Sequence, residues 1–242
     1  MGIVPIQGIP NKKEIPVTQL PPSGLCRRGG VLWLASVSAF LLVSLPSETP
    51  SQQAQDPDAQ AMRRLEWMHD NQRGMWNVDA NEGAFLRDQV IKVKAKRALE
   101  IGTSNGYSAS WIAMGLRKTS GHLTTLEIND VRARLAAENF RAAGVDSLIT
   151  LVHGDALKEV PKLQSPYEFV FIDAWKSDCV RYLDMVLPLV PPGGVIMVHN
   201  VTNLRSELLD FIERVKTDPQ LKTTFVDAGP GGFSVSIKQP GK

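Results

Sequence analysis

The stretch RALEIGTSNGYSASWIA, Arg97 to Ala113, decides how the rest of the chain is read. Its opening, Ala98–Ile101, looks like a buried strand and runs straight into a turn signal. The turn Gly102-Thr103-Ser104-Asn105-Gly106 follows, and the segment from Tyr107 to Leu116 then carries a helical pattern. Strand, glycine turn and helix in succession build a place to hold a nucleotide, because bare backbone at a helix start lets a ligand approach closely.

Outward from this stretch, elements of the two kinds alternate. Helical patterns over Ala61–Asn71 and Gly83–Lys94 precede it, with Leu65 and Met68 on one apolar face and Leu86 and Val90 on the other. After it come a strand at His122–Ile128 and a helix that Asp130 can cap, with Ala133, Ala136 and Phe140 in one stripe and Gly144 as its stop. Strands follow at Ser147–Val152, Phe169–Ile172 and Gly194–Val198, with helices at Tyr182–Leu189 and Leu204–Lys216. Two last runs, Thr223–Val226 and Phe233–Ile237, flank the glycine-rich Ala228–Gly232, a connection too short for a crossover helix. The pattern predicts an α/β fold: a Rossmann-like, doubly wound, mostly parallel seven-stranded sheet with an antiparallel C-terminal hairpin.

Ligands of such sheets lie beyond the carboxyl ends of the strands. Polar residues stand there one strand after another: Glu100 and Gly102, Glu127, Asp155, Asp173, and His199 with Asn200. The first turn lacks the G-x-G-x-x-G spacing that admits a pyrophosphate, which disfavours a nicotinamide-dependent oxidoreductase. Glu100 would also repel a diphosphate and suits a cationic cofactor instead. S-adenosylmethionine carries an ammonium and a sulfonium and has no phosphate. Glu127 is placed to accept from both hydroxyls of its ribose.

With these residues the chain resembles the cation-dependent class I S-adenosylmethionine-dependent O-methyltransferases, the group of catechol and caffeoyl-CoA O-methyltransferases. The likeness runs from Met75 to Lys238 and rests on ALEIGTSNGYSA, TTLEIN, HGDA, FVFIDAWK and GGVIMVHNV. It implies that Val78 and Gly83 belong to the segment that closes on the methionine part of the cofactor. It gives Glu100, Gly102, Thr103 and Ser108 the first-loop contacts and Glu127 the ribose. Asp155, Ala156 and Trp175 go to the adenine side, and Lys176 matches the catalytic lysine. Asp173 would serve both as a cofactor contact and as a metal ligand. The implied reaction moves a methyl group to a hydroxyl of a small phenolic or catechol-type acceptor, and relatives are often homodimers.

One position departs from the family. Asp-Asn usually follows the fifth strand as metal ligands, whereas this chain has His199-Asn200. Magnesium prefers oxygen ligands, and a histidine suits Mn, Co or Zn better. Three roles stay open for His199: a ligand of a divalent metal with Asp173 and Asn200, a catalytic general base without metal, or a polar residue without chemistry. Two alternatives to O-methyl transfer stay open as well. One is an S-adenosylmethionine-binding module without transfer, and the other a nitrogen- or carboxyl-methyltransferase without metal.

The formal charge of +2 is too small to argue for nucleic acid, and the run KVKAKR, Lys92–Arg97, reads as a solvated helix end. Cys26 and Cys179 lie too far apart in sequence for a disulfide framework or a metal knuckle. Residues 1–46 read as a basic, Pro- and Gly-rich leader around the uncharged VLWLASVSAFLLVSL, 31–45. That stretch is short for a membrane span, which needs about 20 residues, and matches the apolar core of a signal peptide or anchor preceded by Arg27-Arg28. Residues 47–60 read as a linker and 61–242 as the methyltransferase domain. A membrane-associated or exported protein follows, and a cytoplasmic one if the leader is not used.

Overall fold

Strand β1 (Arg97–Ile101) runs near the middle of a seven-stranded sheet, paired in parallel with β2 (His122–Glu127) on one side and β4 (Phe169–Ile172) on the other. Strand β3 (Ile149–His153) flanks β2, and β5 (Val195–His199) flanks β4, both in parallel. The last two strands, β6 (Leu221–Val226) and β7 (Phe233–Lys238), form a hairpin, with β7 antiparallel to both β5 and β6. The order β3-β2-β1-β4-β5-β7-β6 reverses between β1 and β4, and the crevice of a doubly wound sheet opens at that point. The structure is a computed structural model and describes residues 57–164 and 166–241. These belong to one compact unit.

Helices cover both faces, so β1, β4 and β5 read as nearly unbroken apolar runs. Ala98, Phe169, Phe171, Val195 and Met197 pack with α1 (Pro57–Asn71), α2 (Ala80–Lys92), α3 (Tyr107–Thr119) and α4 (Asp130–Ala143). Leu99, Ile101, Val170, Ile172, Ile196 and Val198 pack on the other face with α5 (Ala156–Glu159), α6 (Cys179–Val186) and α7 (Leu209–Thr217). Phe169 and Phe171 are fully buried, and each contributes about 1.5–3 kcal/mol of apolar transfer. Side chains alternate along a strand. Glu100 therefore shares the face of Ala98, and His199 shares the face of Val195 and Met197. Both point into the layer of α2 and α3.

Several boundaries differ from the sequence reading. Helix α1 begins at Pro57, inside the segment read as linker, and Asp58 in its first turn pairs with Arg117 at 2.8 Å. The cap of α4 is Asn129, not Asp130: its side chain accepts from the Arg132 amide at 3.0 Å, and Asp130 is the first helical residue. The expected helix at Leu204–Lys216 is a short 3-10 turn at Arg205–Glu207 followed by α7. The apolar stretch 31–45 and most of the linker lie outside the described residues. Among the described residues no helix is long and apolar enough to cross a membrane.

Candidate active site

A cavity of about 930 Å³ opens at the carboxyl ends of β1, β2, β4 and β5, within the range of about 300–1,000 Å³ usual for small-molecule sites. Val78, Gly102, Thr103, Ser108 and Glu127 line one part of it. Asp155, Ala156 and Trp175 line another part, and Asp173, Lys176, His199 and Asn200 a third.

The glycine turn is held tightly. Gly102 has φ +100°, and a Cβ there would stand 2.3 Å from the Asp173 carbonyl oxygen. Only glycine lets β1 and the end of β4 approach so closely. Ser104, in the left-handed region at φ 50°, donates its amide to Glu127 Oε2 at 2.7 Å, and the Asn129 amide donates to Glu127 Oε1 at 2.9 Å. Both carboxylate oxygens are thus fixed by backbone. Each keeps acceptor capacity for a ligand hydroxyl on the cavity side. The Ser104 hydroxyl donates to the Met75 carbonyl at 2.7 Å, which ties the strap before α2 to the turn. Trp76 and Asn200 also have positive φ, and with Ser104 all three border the cavity. Such strain persists where surrounding structure over-determines it, commonly at ligand sites.

Glu100 lies one layer behind the wall. It is fully buried, and its oxygens accept from the Ser108 hydroxyl at 2.6 Å and the Thr125 hydroxyl at 2.5 Å. Burial pushes its carboxyl up to about 7 against those two hydrogen bonds, with the charges of Asp173 and Glu127 adding to the rise. Ser108, not Glu100, reaches the cavity surface. The carboxyl acts on a ligand there through Ser108 and through its field. Gly83 also stands away from the cavity: it sits on α2 against Trp111, where a Cβ would meet the indole at 2.3 Å.

The acceptor end of the cavity is a chain of alternating charges. Lys176 Nζ donates to Asp173 Oδ1 at 2.7 Å, and Asp173 Oδ2 lies 3.2 Å from His199 Nδ1. On the far side of the ring, His199 Nε2 is 3.0 Å from Glu82 Oε2, a close ionic contact in which the N–H is not aimed at the oxygen. Glu82, 1 % exposed, also accepts from the Asp79 amide at 2.9 Å. Its other oxygen takes the Gly231 and Gly232 amides of the β6–β7 loop at 2.7 and 3.0 Å. Burial alone would lower the His199 pKa, but Asp173 and Glu82 outweigh it and hold the imidazole up to about 9. Burial would likewise raise Asp173 and Glu82, and their pairing with His199 keeps both below the usual carboxylate range. Two carboxylates and two cations close the charge balance inside the protein.

Whether these residues fit a divalent metal depends on free donor atoms. Asp173 has one oxygen on Lys176 and one facing His199, and both His199 nitrogens face carboxylates. The Asn200 amide nitrogen donates to Asn203 Oδ1 at 3.0 Å, a bond that does not engage its own carbonyl oxygen. Among the described residues no group of three or more His, Cys, Asp or Glu is arranged to hold a metal ion. The expected set Asp173, His199 and Asn200 does come together, but with a carboxylate facing each ring nitrogen of His199, so the three do not fit a divalent metal as a set. A general-base role for His199 meets the same obstacle, because neither ring nitrogen is free to take a proton from the cavity. The cavity does fit a nucleoside cofactor: Glu127 is pre-positioned, Gly102 leaves the backbone open, and Trp175, 62 % exposed, offers an aromatic face.

Sequence reasoning missed Glu82. Asp79-Ala80-Asn81-Glu82 has the spacing of a capping box, and that box forms. The spacing predicts a helix start and gives no hint that Glu82 also reaches His199 and Gly231, both far along the chain.

An α/β sheet with this strand order holds its ligand in the crevice at β1 and β4, where the polar residues gather. The family model for O-methyltransferase matches residues 51–231, and the chain belongs to that family. It is 39% identical over 125 residues to a catechol O-methyltransferase of Mycobacterium tuberculosis, a match covering 51% of this chain and 56% of that protein. Against the O-methyltransferase of Bacillus cereus in complex with SAH the TM-score is 0.67 at 26% identity, covering 78% of this chain and 94% of the other. Against TomG of Streptomyces achromogenes in complex with SAM it is 0.66 at 28% identity, covering 76% and 91%.

Proposed function

We propose that this chain transfers a methyl group from S-adenosylmethionine to a hydroxyl of a small phenolic, catechol-type acceptor. The observation that carries the proposal is Glu127, a carboxylate fixed by two backbone amides on the wall of a cavity that continues to Lys176 and Asp173. The solved relatives whose titles name SAM and SAH, and the relative named for catechol, support the donor and the acceptor class.

The donor, when bound, supplies an electrophilic methyl on a sulfonium, so that the acceptor oxygen forms the new C–O bond as the C–S bond breaks and a thioether leaves. Val78, Gly102, Thr103 and Ser108 hold the amino-acid end of the donor, Glu127 the ribose, and Asp155, Ala156 and Trp175 the base. Asp173 places negative charge near that cationic end, and Glu100 orients Ser108 from behind the wall. Lys176 keeps two N–H groups beyond its bond to Asp173 and offers them to the acceptor oxygen. A phenol near pKa 10 ionises more readily beside a fixed ammonium, and its proton passes to solvent. Holding the oxygen in line with the methyl accounts for on the order of 7–11 kcal/mol of the barrier.

A methyl-transfer assay tests the reading against catechols, simple phenols, amines and carboxylates. Transfer to a catechol oxygen that Lys176→Ala reduces by about 10²-fold or more supports it. Transfer to nitrogen or carboxyl acceptors alone, or binding of the donor without any transfer, would replace it with one of the alternatives.

A further inference from the structure

We propose that the imidazolium of His199, clamped between Glu82 and Asp173, takes with Lys176 the place of a divalent cation beside Asp173, so that this chain orients its acceptor without metal. Glu82 is then the positioning residue of the acceptor site. The inference rests on the methyl-transfer reading for its catalytic meaning, and on geometry alone for the cation.

His199 is 4 % exposed and is packed between rings and loop backbone at the edge of the cavity. The Phe233 ring centroid lies 5.1 Å from its own and that of Phe171 6.4 Å. A Cβ on Gly231 would stand 2.1 Å from Nε2, so the loop backbone packs directly on that end of the ring. In this orientation each ring nitrogen faces a carboxylate, Nδ1 that of Asp173 and Nε2 that of Glu82. Three separate elements converge to hold Glu82: the start of α2 through Asp79, the β6–β7 loop through two amides, and β5 through His199. A carboxylate so fully engaged, with no solvent access, serves to keep a positive charge in one place. That charge stands against the cavity at Asp173, where it and the Lys176 ammonium supply the electrostatic stabilisation that a metal would give an ionising hydroxyl.

The geometry leaves one rival. An imidazole that ligates a metal through Nδ1 often gives its other N–H to a carboxylate, so Glu82 could serve a ligating His199 instead. Divalent-ion binding separates the two. Purified full-length wild type, His199→Asp and Asp173→Asn are treated with chelator, and melting is followed with Mg, Mn, Co or Zn added back. The expected result is no response in wild type and a rise of several degrees in His199→Asp, which replaces the fixed cation with an oxygen ligand. A rise in wild type that Asp173→Asn abolishes would overturn the proposal, as would a folded His199→Asp that ignores all four ions.

Should His199→Asp fail to fold, nitrogen-15 NMR of wild-type histidine side chains decides. Both ring nitrogens of His199 protonated at neutral pH are expected, and a neutral ring with a bare nitrogen overturns the inference. Turnover of chelated wild type within about twofold of untreated enzyme completes the picture. Absence of methyl transfer altogether would instead count against the function and leave the ion and NMR results to judge the cation.

Discussion

Stability between pH 7 and 9 reports directly on the buried charge chain, and Glu82→Gln is the perturbation that exposes it. The folded protein holds His199 up to about 9, against an ordinary value of 6.5. A group whose pKa is raised on folding gives stability that is complete below its unfolded value and is lost as pH rises through its folded value. At about 1.4 kcal/mol per pH unit, wild type should lose about 2–3 kcal/mol between pH 7 and 9 from this one group. Glu100 also has a raised pKa, but its loss falls between 4.5 and about 7, below the window. The Cys179 thiol, pushed up by burial from 9 to about 12, contributes only above the window. Glu82→Gln removes one of the two carboxylates and leaves a buried cation half-paired, at a cost of about 3–5 kcal/mol near pH 7. With the ring less strongly held, the decline between pH 7 and 9 should shrink to about half. Urea unfolding followed by tryptophan fluorescence measures both quantities. Parallel pH curves for wild type and Glu82→Gln would refute the claim that Glu82 holds the charge on His199.

Other residues give separate tests. Gly231→Ala drives a methyl group into His199 Nε2 and should cost about 1–3 kcal/mol in chemical denaturation, without changing the charge of any group. Glu127→Ala should weaken donor binding by about tenfold or more, about 1.4 kcal/mol, read by calorimetry. Glu100→Gln removes a buried carboxylate and should hold stability or raise it above pH 7, as melting curves will show, because the charged form is the one that burial penalises. Fractionation of a carboxyl-terminally tagged full-length chain tests the leader. Membrane or exported material is expected, and wholly soluble cytoplasmic material would argue against use of residues 31–45.

The sheet was legible because its strands carry their burial in plain form. Phe169–Ile172 is an apolar run closed by an acid, Ala98–Ile101 is apolar but for Glu100 and closes on glycine, and the short Ala228–Gly232 link forces the last pair antiparallel. Strand ends therefore located Glu127, Asp155, Asp173 and His199 at one edge. Side-chain direction was harder to see. Glu100 and His199 follow the period of two and turn into the α2–α3 layer, so Glu100 does not reach the crevice and His199 meets it only at its edge, 4 % exposed. The pairing of His199 with Glu82 joins residues with no local relation, and the capping box gave Glu82 a sufficient local reason to exist. A histidine at a metal-ligand position looks like a softer ligand in isolation. Only the second carboxylate behind it turns it into a cation.

The roles of Glu127, Ser108 and Lys176 in methyl transfer require S-adenosylmethionine in the crevice between β1 and β4. Calorimetric titration of that donor into the purified full-length chain is the most direct test. Saturable binding at one site per chain, weakened by Glu127→Ala, is the predicted result. A flat titration with correctly folded protein would contradict it.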